Sequence, residues 1–431
     1  MIITEKKYQK TVRSVLITAY ACCPDTGSES GNGWSWIINY LRNGYKVYCV
    51  TSSIYKKELQ QYFLNNKHDD LKLIYADNFF ALKTFQIPVL GNYIHYYLWI
   101  LNAKKIIRSE LSGIDFFHAH HITYSSIKFG TPLYDINFKL IIGPVGGSRL
   151  PHRSLKKYLG RYYYFEWFKN FMSYVLAKCN PAVARSVKKA DIILTSNEIA
   201  DELINKYSSK KTIRMFDAGL ADYFELPLTK KNLDGKINIL WVGTMFPRKG
   251  LNLAIEAISF LPANFNFHFT IAGNGQCKKN VVALTEKLGL RNKVTFLDHI
   301  SHKEIMERMK ESHVLLFPTL IDSCPTQLFE AFALGLPVVT LDHQGMKDQV
   351  IEGAGIKVAV GDKINYPAEL AKAIMEIVKD DATYKQYVTN AYRYGQQQLW
   401  KKRIRDLLNE LNISEKINSP EFADPYAQIL Q

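Results

Sequence analysis

Residues 314–341, VLLFPTLIDSCPTQLFEAFALGLPVVTL, set two acids, Asp322 and Glu330, between two short apolar runs. Residues 314–317 and 338–341 read as buried parallel strands, and 327–334 as a helix closed by Gly335 and Pro337. The segment is therefore expected to be a strand, loop, helix and strand. Ser323 suits the cap of that helix and Pro325 its first turn, so the amides there should face an anion beyond the strand ends, phosphate being the natural occupant. Asp322 then lies in the loop and Glu330 about two turns into the helix. Two carboxylates so placed can hold the hydroxyls of a sugar and a ribose.

The same rhythm runs through the chain. Short apolar runs at 12–19, 46–51, 72–75, 114–117, 139–142 and 191–195 alternate with helical stretches, and the pattern restarts at 237–242, 267–272, 293–296, 314–317 and 338–341. The fold class is α/β, with two facing Rossmann-like parallel-sheet domains. A chain of 431 residues exceeds one comfortable core. Residues 223–236 are polar, include Pro227 and Gly235, and mark the hinge. Ligands are expected at the carboxyl ends of the two sheets.

A net charge of +15 implies an anionic partner, whether nucleic acid, anionic lipid or a phosphorylated substrate. The six cysteines form no CxxC pair and no cluster with histidine, which disfavours zinc and a disulfide framework and suits a reducing, cytoplasmic compartment. The apolar run 15–23 reads as a first strand rather than a signal peptide. Other apolar runs are broken by charge or proline before reaching the roughly 20 residues of a membrane span, so a soluble or peripheral protein is expected.

Several strand-to-glycine turns point at ligands. In 241–258, WVGTMFPRKGLNLAIEAI, a strand leads through Arg248, Lys249 and Gly250 into an amphipathic helix. Cations there would meet a diphosphate; a solvated basic turn is the plain alternative. In 269–275, FTIAGNG, Gly273 admits close backbone approach, and in 294–300, VTFLDHI, His299 follows a strand. Residues 19–36, AYACCPDTGSESGNGWSW, carry Gly27, Gly31 and Gly33 ahead of a helix. Their spacing is not GxGxxG, so a nicotinamide cofactor is disfavoured. Residues 141–148, IIGPVGGS, form another such turn, and 115–126, DFFHAHHITYSS, place His118, His120 and His121 just after a strand. No carboxylate partners these histidines in the sequence, which disfavours metal.

Together these segments resemble glycosyltransferase family 4, the retaining sugar transferases of the B-type glycosyltransferase fold. The resemblance rests on the acid pair, the Lys249-Gly250 turn, the Gly27-Ser28-Glu29 loop, His120 in a His-x-His pair and Trp400 in the terminal helix. It implies an N-terminal acceptor-binding domain, 1–222, a sugar-nucleotide-binding domain, 223–395, and a C-terminal helix, about 396–431, crossing back to the first. It further implies that Glu330 holds the ribose, Asp322 the donor sugar, and Arg248 and Lys249 the diphosphate. Gly27, Gly31, Gly273, His299 and the backbone of Ser323, Cys324, Pro325 and Thr326 would line the donor. His120, with Asp322 and Glu330, would complete the catalytic set, positioning rather than acting as obligatory base. The pattern departs at Asp322-Ser323, where many members have Glu-Gly, at Thr244, where an arginine is usual, and at Asp298, where glycine is usual.

The expected activity is transfer of a hexose from a nucleotide diphosphate sugar to a glycan or lipid-linked acceptor in surface polysaccharide biosynthesis, without cofactor or metal. A sugar-nucleotide epimerase or hydrolase of the same fold, and a non-catalytic basic binding protein, remain open alternatives. Residues 150–178 interleave cations with aromatics, and 79–107 form a second aromatic-rich stretch. Such a mixture suits peripheral contact with an anionic membrane on the inner face of the cell membrane. A core helix with a basic outer face is the alternative. No nucleic-acid-binding module is present in the sequence, so nucleic acid is not an expected partner.

Overall fold

The computed structural model describes residues 13–24, 28–77, 91–122, 124, 126–228, 232–233 and 235–411. Gly27, residues 79–90 of the second aromatic stretch and the tail from 412 lie outside them. The first sheet has seven strands in the order β3-β2-β1-β4-β5-β6-β7. These are β1 (Ser14–Ala19), β2 (Lys46–Thr51), β3 (Leu71–Tyr75), β4 (His118–Ile122), β5 (Leu140–Val145), β6 (Ile192–Thr195) and β7 (Ile213–Arg214). The second has six in the order β10-β9-β8-β11-β12-β13. They are β8 (Ile237–Val242), β9 (Phe267–Ala272), β10 (Val294–Leu297), β11 (Val314–Leu316), β12 (Val338–Leu341) and β13 (Gly355–Val358). The strand pairings of the second sheet are all parallel.

The chain divides into two compact units. One holds the described residues of 1–143, 182–193 and 404–423; the other holds those of 144–181 and 194–403. The last helix, Trp400–Glu410, begins in the second unit and belongs to the first from Ile404 on.

Burial of the second sheet on both faces explains its near-continuous apolar runs. Ile237, Ile239 and Trp241 of β8 enter one core with Phe269, Ile271, Val314 and Leu316, while Leu240 and Val242 enter the other with Leu315, Phe317 and Phe329. Period-two alternation of side chains thus feeds two cores from one strand.

Two local expectations are corrected. The strand expected at 114–117 is His118–Ile122, central in its sheet between β1 and β5. Its polar residues are accommodated because each histidine finds a partner there. Thr18 Oγ1 lies 2.8 Å from His121 Nδ1, and Tyr40 Oη lies 3.2 Å from His118 Nε2. Second, Gly31 and Gly33 do not precede the helix but lie within it, since the helix runs Ser28–Arg42. A Cβ on Gly33 would sit 2.1 Å from the Ala21 carbonyl oxygen, so glycine lets the helix lie flush on the chain leaving β1. The Cys23 amide donates to the Ser30 carbonyl at 3.0 Å and ties the two together.

Because the obstacle at Gly33 is backbone, Gly33→Ala should destabilise the protein by about 1–3 kcal/mol. Urea unfolding monitored by circular dichroism checks this; an unchanged midpoint would refute the packing argument.

Candidate active site

In the second sheet the strand order reverses between β8 and β11, the position at whose carboxyl ends parallel α/β sheets bind ligands. Three glycines let the loops approach closely. Gly250 has φ 66°, and a Cβ there would lie 2.0 Å from the Pro318 oxygen. Gly273 has φ 140°, and its Cβ would lie 1.9 Å from the Gly243 oxygen. A Cβ on Gly345 would lie 1.8 Å from the Ser323 oxygen. In each case the obstacle is main chain.

The Arg248 carbonyl accepts from the Leu320 amide at 2.7 Å, the Ile321 amide at 3.3 Å and Thr319 Oγ1 at 3.1 Å. This seam fixes the loop after β8 against the loop after β11. As a result Lys249 Nζ donates to Asp322 Oδ2 at 2.5 Å, and Arg248 Nη1 lies 3.7 Å from the same oxygen and 3.3 Å from the Ile321 carbonyl. Lys249 is buried and Asp322 half-buried. The structure therefore brings together three of the residues expected from the sequence, and it joins the two cations through the acid.

The helix after Asp322 runs Thr326–Ala333, with Pro325 at its N-cap and no side-chain cap. Ser323 is thus not the capping residue, and Glu330 stands just over one turn into the helix rather than two. The reason is the Ser323 carbonyl, which faces Gly345 and receives a 3.2 Å bond from Asn197 Nδ2. The chain stays in loop conformation through Cys324. His299 and Asp298 are exposed at the end of β10, where Lys278 pairs with Asp298.

Glu330 Oε1 lies 2.9 Å from His302 Nε2. His302 opens the helix His302–Glu311, which carries a capping box of Ser301 and Glu304. The hydrogen bond to Glu330 raises the pKa of His302 above the ordinary histidine value, against the opposing effect of burial. The Ser301-x-x-Glu304 pattern locates the helix start in sequence. Nothing in sequence couples it to an acid 28 positions away.

Two further groups escaped sequence reading. His343 is pushed down to about 4 by burial, so at neutral pH it is uncharged and Nε2–H donates to the Thr319 carbonyl at 3.1 Å. Asp217 is raised by burial next to Cys324, whose thiol is itself pushed up. Arg403, lowered to about 10 by burial, donates to the Phe216 carbonyl at 2.7 Å and to that of Ala218. Trp400 covers Gly219, whose Cβ would lie 2.7 Å from the indole. The start of the terminal helix is thereby locked to the chain beneath Cys324.

In the first unit, His120 is enclosed. Its pKa is lowered to about 4 by burial, and its Nε2–H donates to the Gly143 carbonyl at 2.9 Å. That assigns Nδ1 as acceptor of the Tyr40 hydroxyl at 3.1 Å, while Trp36 meets the ring edge-on with centroids 4.7 Å apart. Among the described residues, no group of three or more histidine, cysteine, aspartate or glutamate side chains is arranged to hold a metal ion.

Residues 228–394 match the family model described as glycosyl transferases group 1. The lipopolysaccharide glucosyltransferase WaaG of Escherichia coli K12 is 36% identical over 103 residues, which are 24% of this chain and 27% of that protein. The amylovoran biosynthesis glycosyltransferase AmsK of Erwinia amylovora is 30% identical over 121 residues, 26% of this chain and 30% of the relative. The matched stretches thus span less than a third of either relative. In structure, WaaG superposes with TM-score 0.57 at 17% identity, covering 92% of this chain and 99% of WaaG. The Anabaena protein HepE, solved in complex with UDP, gives 0.60 at 14% identity, covering 93% and 100%. These likenesses establish the B-type glycosyltransferase fold.

Two outcomes follow from the site. Asp322→Ala leaves the buried Lys249 ammonium without its closest partner and should cost about 3 kcal/mol, whereas Lys249→Met combined with Asp322→Asn should cost less than either single change. Denaturant titration of the wild type, the three single variants and the double variant checks this. For His302, the raised pKa means that the folded state holds the proton more tightly than the unfolded chain. Its stabilisation is full below the unfolded value of about 6.5 and is lost as pH rises through the folded value. The melting-temperature gap between the wild type and His302→Gln should therefore narrow as pH rises above the ordinary histidine value of about 6.5.

Proposed function

We propose that the protein is a retaining hexosyltransferase that takes its sugar from a nucleotide diphosphate donor and delivers it to a glycan or lipid-linked acceptor in surface polysaccharide biosynthesis. The observation that carries this reading is the convergence of Arg248 and Lys249 on Asp322 at the strand-order reversal of a group 1 glycosyl transferase domain. The kinship with WaaG and AmsK supports the polysaccharide context, and the UDP complex of HepE supports a nucleotide donor.

In this reading the diphosphate enters beside Lys249 and Arg248 and shares their charge with Asp322. The amides opening the helix Thr326–Ala333 lack partners inside that helix by geometry and add positive potential. Glu330, held by His302, takes the ribose hydroxyls, and the Asp322 carboxylate orients the sugar. Gly273, His299 and the backbone of 323–326 complete the donor's surroundings in the second unit. The bond from the anomeric carbon to the diphosphate oxygen breaks as the acceptor oxygen bonds to that carbon on the same face. The departing diphosphate takes the acceptor's proton. His120 positions strand-end backbone through Gly143 rather than exchanging a proton, because both ring nitrogens are engaged within the protein.

No metal is required where Lys249, Arg248 and helix amides neutralise the leaving group. Turnover should accordingly persist in excess chelator, and strict dependence on a divalent cation would overturn that part of the scheme. A thermal-shift screen of nucleotide diphosphate sugars should find a stabilising donor, with a rise of several degrees at saturating ligand. Glu330→Ala should abolish that rise while melting as a folded protein; an undiminished shift would remove Glu330 from the donor site.

A further inference from the structure

The helix Tyr162–Cys179 is built inside out. Its single acid, Glu166, is fully buried and bonded to Lys169 Nζ at 2.6 Å, and the positions near it on the helical wheel, Asn170 and Ser173, are polar and partly covered. The opposite side carries Tyr164, Trp167, Phe168 and Phe171, each at least half exposed, flanked by Phe165 and Met172 at 43% and 38%. Positions 164, 167, 168 and 171 follow the spacing that makes one helical stripe. Trp167 and Phe171 stack with centroids 5.8 Å apart, so the stripe is ordered as a single surface. A soluble helix turns such a stripe inward; a contiguous outward one marks a binding face.

The helix is held in this attitude from below. Leu155, Tyr158 and Leu159 sit in the core of the second unit, with Tyr162 and Tyr163 packed against it, and Tyr158 Oη donates to Glu256 Oε2 at 3.0 Å. Arg153 forks onto Asp362 at 3.1 and 2.9 Å.

Charge identifies the occupant. From Lys156 to Cys179 there are five cations (Lys156, Lys157, Arg161, Lys169 and Lys178) against Glu166 alone, and that acid is buried. Lys156 Nζ donates to the Tyr164 hydroxyl at 2.7 Å, which places a cation at the edge of the stripe. A second copy would bring the same cations to the same edge, in a chain of net charge +15. An anionic bilayer offers phosphate to the rim and hydrocarbon to the rings, and Trp and Tyr favour that boundary. Among the described residues no helix is long and apolar enough to cross a membrane. This one, with 18 residues, would lie in the interface plane over about 27 Å. We infer that the aromatic face of Tyr162–Cys179 docks the protein onto anionic lipid. The inference stands apart from the donor chemistry.

The sequence supplies its own reporter. Of the six tryptophans, Trp34, Trp36, Trp99, Trp241 and Trp400 are at most 3% exposed, whereas Trp167 is 53% exposed. The full chain is floated with phosphatidylcholine vesicles, with and without about one-third phosphatidylglycerol, at low salt and at about 1 M salt, where the Debye length falls to about 3 Å. Flotation with the anionic vesicles alone, weakened by salt, is expected, together with a blue shift of the emission and quenching by chain-brominated lipid. Trp167→Phe should float normally but lose the quenching. The triple variant Trp167→Ser, Phe168→Ser, Phe171→Ser should partition at least about tenfold less while keeping wild-type circular dichroism and melting. Absence of flotation, equal flotation of the triple variant, or a wild-type dimer that this variant dissociates would each overturn the inference, the last assigning the face to a second copy.

Discussion

The carbonyl of Arg248, accepting from Thr319, Leu320 and Ile321, is the constraint on which the candidate site depends. Parallel strands place their carboxyl-end loops side by side without fixing their distance. Here Gly250 removes the Cβ that would strike the Pro318 oxygen, and the seam of bonds forms behind it. Only with that seam closed do the side chains of Arg248 and Lys249 reach Asp322, 73 positions later. The glycine, often read as a phosphate-binding residue, here acts first as a packing residue. Any function it has toward a ligand rests on that closure.

Where side-chain period and strand length decided the outcome, the sequence was readable. The apolar runs at 237–242, 267–272 and 338–341 appear in the structure with the bounds they have in sequence, because most of their residues are buried apolar side chains and Asn238, His268, Thr270 and Thr340 fall singly between them. The strand His118–Ile122 was displaced in reading because its histidines look polar. In the sheet they are neutral, pushed down by burial, and His121 and His118 meet Thr18 and Tyr40. β13 was missed for a similar reason: Gly355 and Lys357 break its apolar pattern at the sheet edge, where one side needs no covering strand.

The parts of the site that were not legible share a physical cause. His302, His343, Asp217 and Arg403 meet partners far away in sequence, and their roles arise from burial and from the particular group each faces. Spacing carries no trace of such pairings. The acid pair was legible because Asp322 and Glu330 lie on one short loop and helix. Even there the helix start was misplaced, because a serine two positions before a proline looks like a cap when read locally. The Ser323 carbonyl is instead claimed by Asn197 Nδ2 and pressed by Gly345, and this tertiary demand overrides the local preference.

The distribution of charge connects the two surfaces of the second unit. At the candidate site Arg248 and Lys249 share one acid, Asp322. A diphosphate arriving at Lys249 competes with Asp322, and selectivity for a ligand that also satisfies Asp322 is built into the pair. On the outward helix the balance is reversed: its single acid is buried and its cations rim bare aromatic rings. Cations gathered on an acid at the site and a buried acid behind an apolar stripe suit different partners. The first discriminates among small anions by geometry, and the second adheres to an extended anionic surface with little regard to the arrangement of individual groups.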